Sequence, residues 1–273
     1  MKTRVAIFGA GGRMGRALVA SAFNEKTAIG IQLAAAVVSP DSALLGIDIG
    51  TVVLGKPVGV ACIADLVSVA GTFDVLIDFT TSQASVSTLN FCQQHHKALV
   101  LGTTGFTEAQ QHQIKHAAQH IPIVYAPNMS IGVNLLLGLV GKISAALSGR
   151  ADIEVIEAHH KHKKDAPSGT ALAIGETIAQ AQGTNLQERA VYTRHGPDIG
   201  ARKADSIGFS TIRAGDIVGE HTALFALQHE RLEITHKASS RSAFADGALY
   251  AAHWLAQGQH TQGLFSMQQV LGF

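Results

Sequence analysis

What constrains this chain most is an alternation in its first half: short, almost wholly apolar runs with helical stretches between them. The apolar runs are RVAIF (4–8), IQLAAAVV (31–38), FDVLIDF (73–79), ALVLG (98–102) and IPIVYA (121–126). Helices are expected near residues 13–23, 82–95 and 108–120. A strand without a polar side is buried on both faces. Such strands, separated by helices, predict a parallel sheet with helices on each face. The segment 39–56 reads as loop-like.

After Met129 the pattern changes. The apolar stretch 131–147 is broken by Asn134, three glycines and Lys142. It reads as a buried helix rather than a membrane span. The strand DIEVIEA (152–158), a basic loop and a helix near 169–182 follow, with Ala171, Ile174, Ile178 and Ala181 at helical spacing. SIGFSTIRA, IVGEHTALFAL and RLEITHKA then crowd together without helices, which predicts an open mixed sheet. In RLEITHKA, Leu232, Ile234, His236 and Ala238 share one face; Glu233, Thr235 and Lys237 share the other. From Arg241 onward the chain reads as helical again. The expected class is α/β, in two domains with a boundary near Ser130.

The 273 residues allow one large domain or two ordinary ones. With 21 basic and 20 acidic side chains the chain has no global field for a polyanion, which disfavours a nucleic-acid partner. Cys62 and Cys92 are far apart and form no CxxC pair, as expected in a reducing compartment. The apolar run 5–8 is too short for a signal peptide and glycines follow it at once. The expected address is the cytoplasm, without a membrane partner.

GAGGRMG (9–15) is the first chemical motif. Gly9 permits a tight turn off the first strand. Bare backbone at Gly12 lets N–H groups approach a pyrophosphate, and Gly15 lets the helix pack closely on the sheet. Its place between strand and helix favours a dinucleotide-binding turn over a structural βα turn without ligand. An acid that would grip the ribose diol of NAD is missing: the second strand ends in Val38-Ser39. Nothing there repels a 2′-phosphate, Ser39 can donate to one, and Arg13 supplies positive charge. NADPH, or use of both NADPH and NADH, is expected. GTTG (102–105) and APNMS (126–130) stand at the carboxyl ends of later strands, where small residues let backbone contact a nicotinamide ring.

EAHHKHKKDAPSGTA (157–171) crowds histidines and lysines together. Metal binding is disfavoured, because His159 and His160 point to opposite sides of an extended chain and Lys161, Lys163 and Lys164 repel a cation. Nucleic acid is disfavoured, because no aromatic residues interleave. A solvated charged loop is one remaining reading. A site for a small dianion is the other: His and Lys pair with carboxylates, and Ser168, Gly169 and Thr170 open a helix whose N–H groups cradle one of them. Crowded cations also lower each other's pKa, which readies a Lys or His to exchange a proton.

Together GAGGRMGR, DFT, GTTGF, APNMSIGVN, EAHHKHKKDAPSGTA, RAGDIVGEHTALFA and ERLEITHKASSR resemble the 4-hydroxy-tetrahydrodipicolinate reductase (dihydrodipicolinate reductase) family, over nearly the whole chain. The resemblance implies a Rossmann-type dinucleotide domain of residues 1–129 with 241–273. It implies a substrate domain of residues 130–240 with an open mixed sheet that also builds a homotetramer. It implies that Gly9, Ala10, Gly11, Gly12, Arg13 and Met14 hold NADPH or NADH, with Val38 and Ser39 at the ribose. Gly102, Thr103 and Thr104 would meet the nicotinamide end, as would Ala126, Pro127, Asn128 and Met129. His159 would be proton donor/acceptor and Lys163 proton donor, while His160, Gly169 and Thr170 bind the carboxylate of a small dicarboxylate. No metal is implied. The chain departs from the family at Val38-Ser39, where members often carry an acid, and at Met129, which replaces an aromatic ring. Two rivals are a dehydrogenase of another small dicarboxylate and a dinucleotide sensor without turnover; a sensor needs no Lys163 beside His159.

Overall fold

The computed structural model describes residues 2–28, 30–258 and 260–273. The chain divides into two compact units: residues up to Ile131 with Arg241–Phe273, and Gly132–Ser240.

The first unit runs β1 (Thr3–Phe8), α1 (Arg13–Ala22), β2 (Ile31–Val37), α2 (Ile49–Leu54), β3 (Cys62–Ile63), β4 (Val75–Asp78), α3 (Ser82–Gln94), β5 (Ala98–Leu101), α4 (Glu108–Ala117) and β6 (Pro122–Tyr125). It pairs into one sheet that, with β12 (Gly263–Phe265) from the tail, has the order β12-β6-β5-β4-β1-β2-β3. Every neighbouring pair is parallel. The strand order reverses between β1 and β4, so their following loops diverge and leave a crevice at the carboxyl ends. Alternate residues of each strand feed opposite faces. Val5, Ile7, Val75 and Ile77 pack with Leu18 and Val19 of α1 and with Ala248, Leu249 and Ala252. On the other face Leu76, Leu99 and Ile123 pack with Leu89 and Phe91 of α3 and Ile114 of α4. Burial on both sides is why these strands carry no polar face.

One expectation needs correction. The segment 39–56 is not all loop, because it contains α2. Asp48 builds it: one carboxylate oxygen accepts from Gly50 N (2.8 Å), Thr51 N (3.2 Å) and Val58 N (3.0 Å), the other from Gly59 N (2.7 Å) and Val60 N (3.0 Å). The helix start and the returning chain are thereby pinned to one side chain, a cap that Asp before an apolar run signals. The tail is helical over FADGALYAAHWLA, as expected, and continues beyond it. After the helix Ser242–Ala256 it adds β12 beside β6, then a short helix, Met267–Val270, closed by a capping box at Ser266.

The second unit takes most of α5 (Ile131–Ala146), then β7 (Asp152–His159), α6 (Gly169–Ala181), α7 (Leu186–Arg189), β8 (Ala190–Val191), β9 (Ile207–Arg213), β10 (Gly219–Ala226) and β11 (Arg231–Ala238). The tail helix is α8 and the last short helix α9. The sheet order is β11-β10-β7-β9-β8. β10 is antiparallel to β7 and β11, whereas β7, β9 and β8 are parallel, so the sheet is mixed. Ile153, Val155, Phe209, Ala223 and Phe225 of its inner face meet Leu136 and Val140 of α5 and Ile174 and Ile178 of α6. β7 runs one residue past the expected end, which keeps His159 on the strand and on this inner face. Among the described residues no helix is long and apolar enough to cross a membrane.

Candidate functional site

Each unit gathers one set of the residues singled out above. In the first, Gly9 has φ +74°, a region that favours glycine. Gly12 N donates to Gly9 O at 3.0 Å and closes the turn. A Cβ at Gly15 would lie 2.2 Å from Gly9 O and 2.6 Å from Ala10 Cα, so α1 is seated directly on the turn. Its N-cap, Gly12, has no side chain to accept from the first-turn N–H groups, and no acid sits in that turn. Those groups carry the positive end of the helix dipole. The adjoining crevice has a volume of about 660 Å³ and is lined by Gly9, Gly12, Arg13, Val38, Ser39 and Thr80, among others. Gly11 and Met14 also line it, whereas Ala10 is buried in the core. Thr80 is held in place by Asp78, whose Oδ1 accepts from Thr80 N (2.8 Å) and Thr80 Oγ1 (2.6 Å). Bare backbone, an uncapped helix start and two exposed arginines (Arg13 and Arg16) fit a dinucleotide pyrophosphate.

At the end of β5, a Cβ on Gly102 would lie 2.2 Å from the Phe79 ring. Thr103 is buried, its Oγ1 accepting from Ser85 Oγ at 2.9 Å, while Thr104 is exposed. Ala126 and Met129 are buried in the core and Pro127 is exposed. Asn128 Oδ1 accepts from Ser130 N at 2.9 Å. The side chains of Thr103 and Met129 thus serve packing, which leaves backbone as what these two positions can offer a ligand.

In the second unit a buried carboxylate organises the histidine-lysine segment. Glu157 has a fully buried side chain. Its Oε2 receives His159 Nδ1 at 2.6 Å and Arg213 Nη1 at 2.8 Å. Its Oε1 accepts from Arg213 Nη2 at 2.7 Å and Ser168 N at 3.0 Å. The register explains the grouping: His159 stands opposite Arg213 on β9, and Glu157 opposite His221 on β10. The His221 ring lies edge-on to His159, 5.1 Å between centroids, and its Nε2 is 2.8 Å from Ser168 Oγ. Ser168 caps α6, its Oγ accepting from Ala171 N at 3.2 Å. Arg213 also donates to Asp165 O at 2.6 Å, and Lys163 Nζ lies 3.0 Å from Asp165 Oδ2.

The segment is therefore not a plain cluster of like charges, because Glu157 pairs with His159 and Asp165 with Lys163. Burial holds the His159 imidazole below its usual pKa, while the Glu157 hydrogen bond and charge pull the other way and Lys163 and Arg213 add to the depression. Glu157 itself is opposed by burial, yet Arg213, His159 and Ser168 N hold its carboxyl below the usual range. Burial, with His159 next, pushes His221 down to about 4.

His159 and Ser168 are thus brought together around Glu157, with Lys163 near enough to act on both imidazoles. His160 and Thr170 are half-buried and Gly169 is exposed at the helix start. Among the described residues no three His, Cys, Asp or Glu side chains group as a metal site would need. Glu157, Arg213 and His221 escaped the sequence reading. A signal existed for Glu157, which lies two residues before His159 and so on the same strand face. Arg213 and His221 are distant in sequence and only strand pairing brings them in.

The sequence profile of "Dihydrodipicolinate reductase, N-terminus" matches residues 3–129, and that of "Dihydrodipicolinate reductase, C-terminus" matches residues 132–271. A 4-hydroxy-tetrahydrodipicolinate reductase of Hahella chejuensis is 53% identical over 271 residues, 99% of each chain. The dipicolinate-bound dihydrodipicolinate reductase of Paenisporosarcina sp. TG-14 has a TM-score of 0.75 at 26% identity, over 97% of this chain and 98% of that one. An amine dehydrogenase of Mycobacterium smegmatis shares the fold alone, with a TM-score of 0.57 at 11% identity over 98% of this chain and 96% of the other. With both halves matched and a relative this similar over its full length, the chain belongs to the dihydrodipicolinate reductase family.

Proposed function

We propose that the chain reduces 4-hydroxy-tetrahydrodipicolinate to tetrahydrodipicolinate with NAD(P)H and loss of water, in diaminopimelate and lysine biosynthesis. The Hahella relative bears the name of this activity, and the Paenisporosarcina structure holds dipicolinate, a flat ring with two carboxylates. The observation in this chain that carries the reading is the buried Glu157–His159 pair beside the Ser168-capped start of α6. One hydride and one proton are taken up per turnover, and the 4-hydroxyl departs as water.

The first unit is the dinucleotide-binding domain and the second the substrate domain. Gly9 to Met14 hold the pyrophosphate, Val38 and Ser39 face the ribose, and backbone at Gly102, Thr103, Thr104 and Ala126 to Met129 meets the nicotinamide. The nicotinamide, when bound, supplies hydride to C4 of the substrate ring. Ser168, Gly169, Thr170 and His160 bind the substrate, with the free N–H groups of the α6 start cradling a carboxylate. Glu157 occupies His159 Nδ1 and so leaves Nε2 to exchange a proton. Lys163 is the proton donor, its ammonium steadied by Asp165. Among the described residues, the crevice lining includes Arg13, Arg16, Ser39 and Ser42 and no carboxylate. That lining favours NADPH over NADH while admitting both.

The test is a steady-state comparison of NADPH and NADH with substrate generated enzymatically, with Lys163→Ala and Arg13→Ala alongside. Lys163→Ala should cut turnover by about 10²-fold or more with dinucleotide affinity nearly unchanged. Arg13→Ala should raise KM for NADPH more than for NADH. Pyridine-2,6-dicarboxylate should compete with the substrate. No turnover with either dinucleotide, or no inhibition at millimolar levels, would refute the reading.

A further inference from the structure

His221 of the buried cluster contacts the hydroxyl of Ser168. Ser168 is 2% exposed. Its Oγ accepts from Ala171 N and meets His221 Nε2 at 2.8 Å. A serine hydroxyl offers one hydrogen and about two lone pairs, and a neutral imidazole one N–H and one lone pair. Two assignments satisfy the contact. If Ser168 donates to His221 Nε2, the ring hydrogen sits on Nδ1, which is buried and meets no hydrogen-bond partner among the described residues. If His221 Nε2–H donates to Ser168 Oγ, Nδ1 carries only a lone pair. A buried N–H without an acceptor is rarer and costlier than an unused acceptor. The second assignment is favoured. It fills both acceptor positions of Ser168 Oγ and leaves the hydroxyl hydrogen for an outside acceptor.

The groups facing His221 keep its ring neutral near pH 7. Burial acts first, His159, His236 and Lys163 add to it, and Glu157 opposes them. Strand register fixes the ring, since His221 stands between Glu157 on β7 and His236 on β11.

We propose that His221 is a positioning residue, donating from Nε2–H to Ser168 Oγ and so turning the Ser168 hydroxyl outward as a donor to a substrate carboxylate. This rests on the reading of Ser168 as a carboxylate contact. One buried cluster then sets two functional groups: Glu157 orients His159, and His221 orients Ser168.

The test measures pyridine-2,6-dicarboxylate affinity by calorimetry on the full chain with dinucleotide bound, in His221→Asn, His221→Gln, Ser168→Ala and the His221→Asn/Ser168→Ala pair. An Asn amide nitrogen reproduces only the Nδ1 position, whereas that of Gln reaches the Nε2 position. Both are polar and close in size to histidine, which protects the fold. His221→Asn should weaken the dicarboxylate about 10-fold, the scale of one hydrogen bond to a charged group, and His221→Gln should recover most of it. Dinucleotide affinity should stay unchanged in both. In the Ser168→Ala background His221→Asn should add nothing, because the path through the hydroxyl is already gone. Independent, multiplying losses, or a Gln variant as weak as the Asn variant, would overturn the inference alone. A Ser168→Ala variant with undiminished dicarboxylate affinity would overturn both it and the reading of the site.

Discussion

Glu157 is the residue on which the buried end of β7 depends. Its carboxylate has a fully buried side chain and satisfies an imidazole, a guanidinium and a backbone N–H at once. Removing one member of such a group leaves the others buried without partners, which is costly. Glu157→Gln keeps the shape but loses the charge that pairs with Arg213 and fixes the His159 tautomer. Turnover should fall about 10²-fold or more, in the way of other acid–histidine pairs, while dinucleotide affinity holds. The sign of the pH effect follows from the direction of the interaction. Glu157 raises the His159 pKa, so its neutralisation should move the His159 inflection of the pH–rate profile to lower pH. A profile with an unmoved inflection and full turnover would contradict this role. Sequence reached His159 and Ser168 because they share one contiguous, distinctive segment.

Among the elements, α1 and α8 are held by the absence of side chains. Gly247 of α8 lies so close to the link after β6 that a Cβ there would stand 1.8 Å from Met129 O. Backbone cannot yield as a flexible side chain can. Gly247→Ala should destabilise the protein by roughly 1–3 kcal/mol or more, the scale of overpacking against rigid neighbours, read as a lower thermal midpoint. An unchanged midpoint would mean that α8 shifts freely on the sheet. The short elements were the illegible ones. α2 depends on the five N–H groups collected by Asp48, three of them from residues 58–60, and β12 is a strand only because β6 offers an edge. Neither dependence has a local periodicity to announce it.

For the molecule as a whole, the buried imidazoles couple stability to pH. Burial pushes the His221 pKa down to about 4 in the fold, from the usual 6.5 of a histidine. Between those values the unfolded chain binds the additional proton, so stability is present above pH 6.5 and is lost as pH falls towards 4. His221 accounts for up to about 3 kcal/mol of that loss. His159 and His236 act in the same direction. Glu157, with its lowered pKa, contributes stability above the usual carboxyl range that is lost below it. Urea midpoints followed by circular dichroism at fixed protein concentration should fall from pH 7 to pH 4.5, and less steeply in His221→Gln. A flat midpoint would contradict the assignment. We further propose that the outer face of the second unit's sheet builds a homotetramer. Ile156, Ile212 and Leu224 alternate away from the core, and Ile212 is 47% exposed. Sedimentation should give a mass four times that of the chain; a monomer at micromolar concentration would exclude it.

The sequence by itself determined the class and order of the long elements, the glycine turn and the histidine-lysine segment. Each is carried by neighbours in the chain: apolar strands need two covered faces, and a turn or a motif is written in consecutive residues. Tertiary structure alone decided the polar cluster, because Glu157, Arg213 and His221 lie on three strands and meet only through β pairing. It also decided which groups keep their charge, since burial and partners, not residue type, set where His159 and His221 release a proton.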